Sequence, residues 1–391
     1  MSLQNTPRGE RLHIAVYGKR NSGKSTLINA ITGQEIAITS PVAGTTADPV
    51  YQAMEVHPIG PCVFIDTAGF DDEGDLGKLR VAKTVETLSR ADVAILVCAE
   101  DDLTQESAWL ETLRARKIPT VVAVNQKGED LSAKVEQELK LKPVVVNAKE
   151  RIGTDELLRA ICALLPEEFG AMSLTAHLVE KNDVVLLVMP QDKGAPKGRL
   201  ILPQVQTIRD LLDHFCITVC TTLETLPQAL GALKHPPKAV ICDSQVFPEV
   251  ERQTPKESIL TSFSVLFARY KGDLSAFRRG ADAIDRLKES DRVLIAESCT
   301  HKSQEEDIGR VKIPRLLRKK VGEGLTVDVV SGADFKKNLT DYALIIHCGG
   351  CMVNRAFVLS RIREAEAAGV PITNYGIAIA KLTGILDKIQ D

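Results

Sequence analysis

The chain has 391 residues, with 49 basic against 52 acidic side chains and a net charge of -3. Its length exceeds one typical core and points to two or three domains, three being the preferred division. The near-neutral balance supplies no strong field to draw in nucleic acid or an anionic membrane. No basic start with an apolar run precedes the first strand and no apolar stretch is long enough to span a bilayer, so a cytoplasmic protein is expected.

From Leu12 to about Leu165, strand-like runs alternate with amphipathic stretches. Strands are expected at Leu12 to Tyr17, Cys62 to Ile65, Val93 to Val97, Thr120 to Val124 and Val144 to Val146, with a helix from Lys24 to Ile31. This rhythm predicts a parallel sheet with helices on both faces. A helical pattern ends near Pro166-Glu167-Glu168-Phe169-Gly170, where a boundary is expected. The middle segment repeats the rhythm, with Val184 to Val188, a helix from about Gln204 to His214, Ile217 to Val219, and Ala239 to Ile241. A helix of roughly Leu274 to Leu287 leads into strands at Val293 to Ala296, Thr326 to Val330 and Ala343 to Ile346. The expected fold class is α/β, in three domains over 1–169, 170–268 and 269–391, each with a mainly parallel sheet flanked by helices.

Gly18-Lys19-Arg20-Asn21-Ser22-Gly23-Lys24-Ser25 follows the first strand and opens the first helix. In that context glycine-rich backbone amides and a helix N-terminus cradle phosphates. Lys24 is expected to reach the β- and γ-phosphates and Ser25 to bind Mg2+, with Ser22, Gly23 and Thr26 completing the cradle. Asp66-Thr67-Ala68-Gly69 ends the strand from Cys62; Asp66 would hold Mg2+ through water and the Gly69 amide would meet the γ-phosphate. Between them Ala43-Gly44-Thr45-Thr46-Ala47-Asp48 can supply a threonine to the ion, Thr46 first and Thr45 second. Lys24, Asn21, Thr46 and Gly69 form the expected catalytic set.

Base recognition is irregular. Asn125-Gln126-Lys127-Gly128-Glu129-Asp130 stands where Asn-Lys-x-Asp would read guanine, and Asn125 is in register after its strand. The carboxylate is displaced to Glu129 or Asp130 while Gly128 occupies its place. Asn147-Ala148-Lys149 resembles the last base-contacting motif, so guanine, as GTP or GDP, is the preferred base.

Together these motifs resemble the TrmE/Era/EngA group of GTPases, whose first switch typically reads Gly-Thr-Thr-Arg-Asp; Ala47 departs from it. The resemblance implies a P-loop GTPase fold in the first domain. It also implies that Asn21 supports a K+ ion in place of an arginine finger, the alternative being an ordinary loop asparagine. Phe70 follows the Asp-Thr-Ala-Gly motif, so no glutamine orients the attacking water there, and hydrolysis is expected to be slow and potassium-stimulated.

Nine cysteines without a secretion signal read as thiols or metal ligands. Cys98 and Cys242 lie in apolar runs and read as core, as do Cys216 and Cys220, four apart on one expected strand, and Cys62 and Cys162. Cys299-Thr300-His301 and His347-Cys348-Gly349-Gly350-Cys351 differ, because each follows an apolar strand. That is the edge where open parallel sheets bind ligands, and Gly349-Gly350 lets both Cys348 and Cys351 reach one site. Three cysteines and a histidine close a tetrahedral zinc site; three cysteines also hold a 4Fe-4S cluster with one iron weakly ligated. For His301 and His347, a ligand role and a hydrogen-bonding role both stay open.

Cys-x-His, 45 residues, then His-Cys-x-x-Cys, behind a GTPase front end, resembles the FeFe-hydrogenase maturation GTPase family HydF over the entire chain. Further likenesses are Pro371-Ile372-Thr373-Asn374-Tyr375-Gly376 and the Ser331-Gly332 turn. The resemblance implies a GTPase domain, a dimerisation domain and a cluster domain in that order. It implies that Cys299, Cys348 and Cys351 hold a 4Fe-4S cluster, with His301 or His347 as a possible fourth ligand. It further implies a homodimeric scaffold that assembles or carries a di-iron precursor made with two radical SAM enzymes and delivers it to apo FeFe-hydrogenase. Two rivals remain at this level: an RNA-associated GTPase with a structural zinc, and a radical or redox enzyme. The chain lacks a basic patch for the first and Cys-x3-Cys-x2-Cys for the second.

Overall fold

Even- and odd-numbered residues of the first strand, β1 (Leu12–Gly18), face opposite sides of a sheet and bury into two different cores. The computed structural model describes residues 6–33, 49–57, 59–72, 74–126, 130–165, 172–190, 200–298, 307–332, 335 and 338–389, with the side chains of 75 and 76 excepted. They form two compact units, Met1–Ala171 and Met172–Asp391.

The first unit holds β2 (Val50–Val56), β3 (Gly60–Asp66), β4 (Val93–Cys98), β5 (Thr120–Asn125) and β6 (Val144–Val146), in the order β2-β3-β1-β4-β5-β6. Only β2 runs antiparallel to its neighbour. Its helices are α1 (Lys24–Thr32), α2 (Gly74–Thr87), α3 (Thr104–Ala115), α4 (Ser132–Leu139) and α5 (Thr154–Leu164). Leu12, Ile14, Val16, Phe64, Ile95 and Val97 pack with Leu27 and Ile28 of α1 and Leu157 and Ile161 of α5. Ala15, Tyr17, Ile65, Leu96 and Val124 pack instead with Leu110 of α3 and Val135 of α4. Burial on both faces explains why these strands read as unbroken apolar runs. Cys62 and Cys98 are buried there as expected, and that desolvation pushes both thiols up to about 12.

The second unit carries two all-parallel sheets. One contains β7 (Val184–Val188), β8 (Ile217–Thr221), β9 (Ala239–Cys242) and β10 (Ile259–Ser262), ordered β10-β9-β7-β8. The other contains β11 (Arg292–Glu297), β12 (Thr326–Ser331), β13 (Leu344–His347) and β14 (Ile372–Asn374), ordered β12-β11-β13-β14. The helices are α6 (Leu202–Asp213), α7 (Leu226–Ala232), α8 (Phe247–Glu251), α9 (Phe263–Lys271), α10 (Leu274–Ala281), α11 (Ile313–Val321), α12 (Arg355–Ala367) and α13 (Tyr375–Leu382). One continuous cluster joins Leu186, Val240 and Phe247 to Val293, Ile295, Ile345 and Ile377, so these two sheets share a core. The helix expected over Leu274 to Leu287 divides into α10 and a 3-10 turn, Asp282–Arg286. Cys220, read as core, is exposed, because among the described residues β8 is an edge strand with no sheet neighbour on its outer side. Among the described residues no helix is long and apolar enough to cross a membrane.

Candidate functional site

The phosphate loop connects β1 to α1. Gly23 adopts φ 96°, and a Cβ there would stand 2.1 Å from Asn125 Nδ2, so only glycine lets the asparagine close on the loop. Asn125 Nδ2 donates to the Ser22 carbonyl at 2.8 Å, and Asn125 Oδ1 accepts from the Ala148 amide at 3.1 Å. One buried side chain thus ties the phosphate loop to the loop of Asn147, Ala148 and Lys149. Asn147 is held in turn by paired backbone hydrogen bonds with Ile152, while Lys149 is exposed. Gly18, Ser22, Ser25 and Thr26 lie where the motif predicts, at the end of β1 and the start of α1.

Lys24 is buried, and its ammonium donates to the carbonyls of Gly18 at 3.0 Å and Lys19 at 2.7 Å. Burial pulls its pKa down to about 8 against the opposing charges of Asp66, Asp71, Asp72 and Glu106. Ser25 Oγ donates to Asp66 Oδ2 at 2.6 Å. The other oxygen, Oδ1, is buried without a hydrogen-bond partner among the described residues, and burial raises the carboxyl pKa. A hydroxyl and a half-satisfied buried carboxylate side by side suit a divalent cation. Gly69 packs against the Arg20 amide, which a Cβ would approach to 2.6 Å. Asn21 is exposed at φ 60°. Phe70 stacks on Trp109 with centroids 5.3 Å apart, so its ring is committed to α3.

Several expected residues lie outside the described residues: Thr45, Thr46, Lys127, Cys299 and His301. Asp130, one of two candidates for the displaced carboxylate, accepts from the Ser132 amide at 2.9 Å at the start of α4. Those hydrogen bonds hold its carboxyl below the usual range. Sequence reasoning missed Lys19, whose ammonium lies 3.5 Å from buried Glu106 and 3.7 Å from Glu100.

The carboxyl edge of the β12-β11-β13-β14 sheet forms the second site. Cys348 follows β13, and its Sγ accepts a hydrogen bond from the Ser298 amide at 3.1 Å. This brings the residue before Cys299 onto Cys348, fifty positions along the chain. Cys348 and Cys351 are half-buried, and Gly350 turns the chain between them at φ 65°. A soft ligand on a glycine-rich strand end, with a backbone amide already aimed at its sulfur, fits a metal held by thiolates. His347 is buried with both ring nitrogens engaged: Nδ1 faces the Cys348 carbonyl at 2.7 Å and Nε2 the Ser298 hydroxyl at 3.1 Å. A carbonyl only accepts, so Nδ1 carries the proton and Nε2 accepts from Ser298 when the ring is neutral. His347 therefore orients both strand ends as it stands.

Behind the cysteines, Glu297 is buried and accepts from Arg310 Nη2 at 2.8 Å, Arg310 Nε at 3.3 Å and Ser331 Oγ at 2.8 Å. Lys271 Nζ at the end of α9 donates to the Val353 carbonyl at 3.2 Å, two residues beyond Cys351. Nothing in the local sequence marks Glu297, Arg310 or Lys271, because each acts through tertiary placement.

A six-stranded, mainly parallel sheet with this loop between β1 and α1 defines the first unit as a P-loop GTPase. Residues 13–126 match a family model described as 50S ribosome-binding GTPase. Residues 174–272 match the hydrogen maturase F dimerization domain and residues 275–390 the hydrogen maturase F tetramerization domain. Together these two matches take in more than half of the chain, which belongs to the hydrogen maturase F family. Among curated relatives, the tRNA modification GTPase MnmE of Bordetella petrii is 33% identical over 168 residues, covering 42% of this chain and 36% of that protein. MnmE of Paraburkholderia xenovorans is 35% identical over 186 residues, covering 46% and 39%. The chain thus spans well under half the length of these relatives. Among solved structures, an Era variant from Aquifex aeolicus bound to GDP.AlF4- has 20% identity and a TM-score of 0.35, over 57% of this chain and 98% of that one. NFeoB from S. thermophilus bound to GDP.AlF4- and K+ has 22% identity and a TM-score of 0.32, over 40% and 64%.

Proposed function

We propose that this GTPase is a scaffold or carrier that binds a 4Fe-4S cluster and assembles or delivers the di-iron precursor of the FeFe-hydrogenase active site. The observation that carries this reading is the Ser298 amide on Cys348 Sγ, which draws the chain entering Cys299 to the strand end bearing Cys348 and Cys351. Membership of the hydrogen maturase F family supports it. Cys299, Cys348 and Cys351 would hold the cluster, leaving one iron open to exchange, with His301 the remaining histidine candidate for that position. His347 would instead fix the strand ends through Ser298 and the Cys348 carbonyl. When bound, the cluster supplies an anchoring iron for the cargo.

At the first site Ser25, Thr46 and Asp66 would hold Mg2+, Lys24 and Gly69 would meet the γ-phosphate, and Asn21 would support K+. Asn125, Lys127 and the loop of Asn147, Ala148 and Lys149 would face the guanine. GTP hydrolysis then acts as a switch on encounters with partners, namely two radical SAM maturation enzymes and apo-hydrogenase. Divided at 1–169, 170–268 and 269–391, the chain would use its middle part for homodimer formation, and the dimerization and tetramerization models support a homo-oligomer.

The test is anaerobic reconstitution with iron and sulfide, followed by absorption and EPR spectroscopy. The expected result is a reducible 4Fe-4S signal that Cys348→Ala removes. Stoichiometric zinc with no iron-dependent absorption would sink the scaffold reading.

A further inference from the structure

Lys19, the second residue of the phosphate loop, is 7% exposed, whereas Arg20 and Asn21 beside it are exposed. Its ammonium donates to the Asp102 carbonyl at 2.5 Å and lies 3.5 Å from the carboxylate of Glu106, in the first turn of α3. The carboxylates of Glu100 and Asp102 stand 3.7 and 3.8 Å away, but both are exposed, and exposed ion pairs contribute little. Glu106 differs. It is 1% exposed, and neither of its carboxylate oxygens has a hydrogen-bond partner among the described residues. A carboxylate buried in that way keeps its charge only beside a cation, and among the described residues that cation is Lys19.

The carbonyl of the same residue serves the phosphate site. It accepts from Lys24 Nζ at 2.7 Å and from the Ser22 amide at 3.2 Å. An ammonium has three N–H donors. The Gly18 and Lys19 carbonyls take two of them on Lys24, which leaves the third for a phosphate oxygen. The Lys19 carbonyl thus aims Lys24, and the Lys19 side chain, anchored on α3, fixes that carbonyl. α3 is itself seated in the core through Leu110 and Leu113. Three residues beyond Glu106, its Trp109 stacks on Phe70, so one helix grips both the phosphate loop and the residue that follows Gly69.

We propose that Lys19 and Glu106 are positioning residues for GTP hydrolysis, a buried ion pair through which α3 holds the carbonyl that aims Lys24 at the phosphates. The inference rests on Lys24 acting there. Charge accumulates on the phosphate oxygens in the transition state, so a misdirected ammonium costs more in turnover than in binding.

The test uses the full chain, with kcat expressed per nucleotide-binding site as counted by fluorescent-GDP titration. Lys19→Met should lower kcat by about tenfold or more while the KM for GTP stays within about threefold. Lys19→Arg, which keeps the charge, should recover part of that loss. Adding Glu106→Gln to Lys19→Met should cost less than about twofold more, because the two residues act as one unit. A merely structural pair would lower the number of binding sites or the melting temperature and leave kcat per site at the wild-type value, and that result overturns the proposal. If Lys19→Met does not fold, Glu106→Gln alone, which keeps the size of the side chain and removes its charge, should lower kcat by about threefold or more. An unchanged kcat there again overturns it. Wild-type turnover by Lys24→Ala would overturn the role of Lys24 itself, an outcome distinct from a Lys24 that acts without help from Lys19.

Discussion

The Ser298 amide meets Cys348 Sγ at 3.1 Å, coupling the ends of β11 and β13 through a sulfur. An amide directed at sulfur stabilises the thiolate, the form that binds metal. Cys348→Ala should therefore abolish iron retention and hydrogenase activation while GTP turnover persists in the other compact unit. Iron content and phosphate release measured on one preparation check this. Maturation by the variant at wild-type level would contradict it.

Asn125 performs two tasks with one amide, holding the Ser22 carbonyl and the Ala148 N–H. Replacing it by alanine strands both groups, and each unsatisfied buried group costs about 1–3 kcal/mol. Nucleotide affinity of Asn125→Ala should fall by about tenfold to a hundredfold. A fluorescent-GDP titration reads this directly, and an unchanged Kd would show that the bridge is not needed to shape the site.

Much of this was legible in the sequence, for a physical reason. The central strands of the first sheet are buried on both faces, so β1, β3, β4 and β5 read as apolar runs, and the phosphate loop lies between its predicted strand and helix. Three strands were not legible: β2 mixes exposed and buried residues, and β10 and β14 have only four and three residues. Cys220 was misread because spacing specifies a face of a strand and not whether a neighbour covers it. Ser298, Glu297 and Arg310 became visible only when the fold brought the strand ends together.

Asn21 lies exposed in the phosphate loop at φ 60°, a conformation asparagine tolerates better than most residues. If it supports a monovalent cation, GTP hydrolysis should rise by about tenfold or more in KCl over NaCl, as expected when fixed positive charge meets the transition state. Asn21→Ala should erase the difference. Equal wild-type rates in both salts would refute potassium stimulation.

Cys62 and Cys98 are fully buried with thiols pushed up to about 12, whereas Cys348 and Cys351 are half-buried. The thiolate is the reactive form, so at pH 8 Cys62 and Cys98 should resist alkylation in the native iron-free protein. The sign is fixed by desolvation: reactivity rises only as pH approaches 12, or on unfolding. Peptide mapping after brief iodoacetamide treatment should find Cys348 and Cys351 labelled before Cys62 and Cys98. Early labelling of Cys62 would contradict this burial.

Among the described residues the outer side of β8 has no sheet neighbour, and Phe215 just before it and Ile217 at its start are 68% and 55% exposed. An edge strand carrying large apolar side chains invites pairing with another chain unless something covers it. It lies within residues 174–272, matched by a dimerization domain. A second copy of this chain is the natural cover, since a two-fold pairing of β8 with β8 would complete both edges with one patch. Ile217→Lys places a charge in that seam and should lower the mass of the homo-oligomer in light scattering, with nucleotide binding intact. An unchanged mass would remove the β8 edge from the interface.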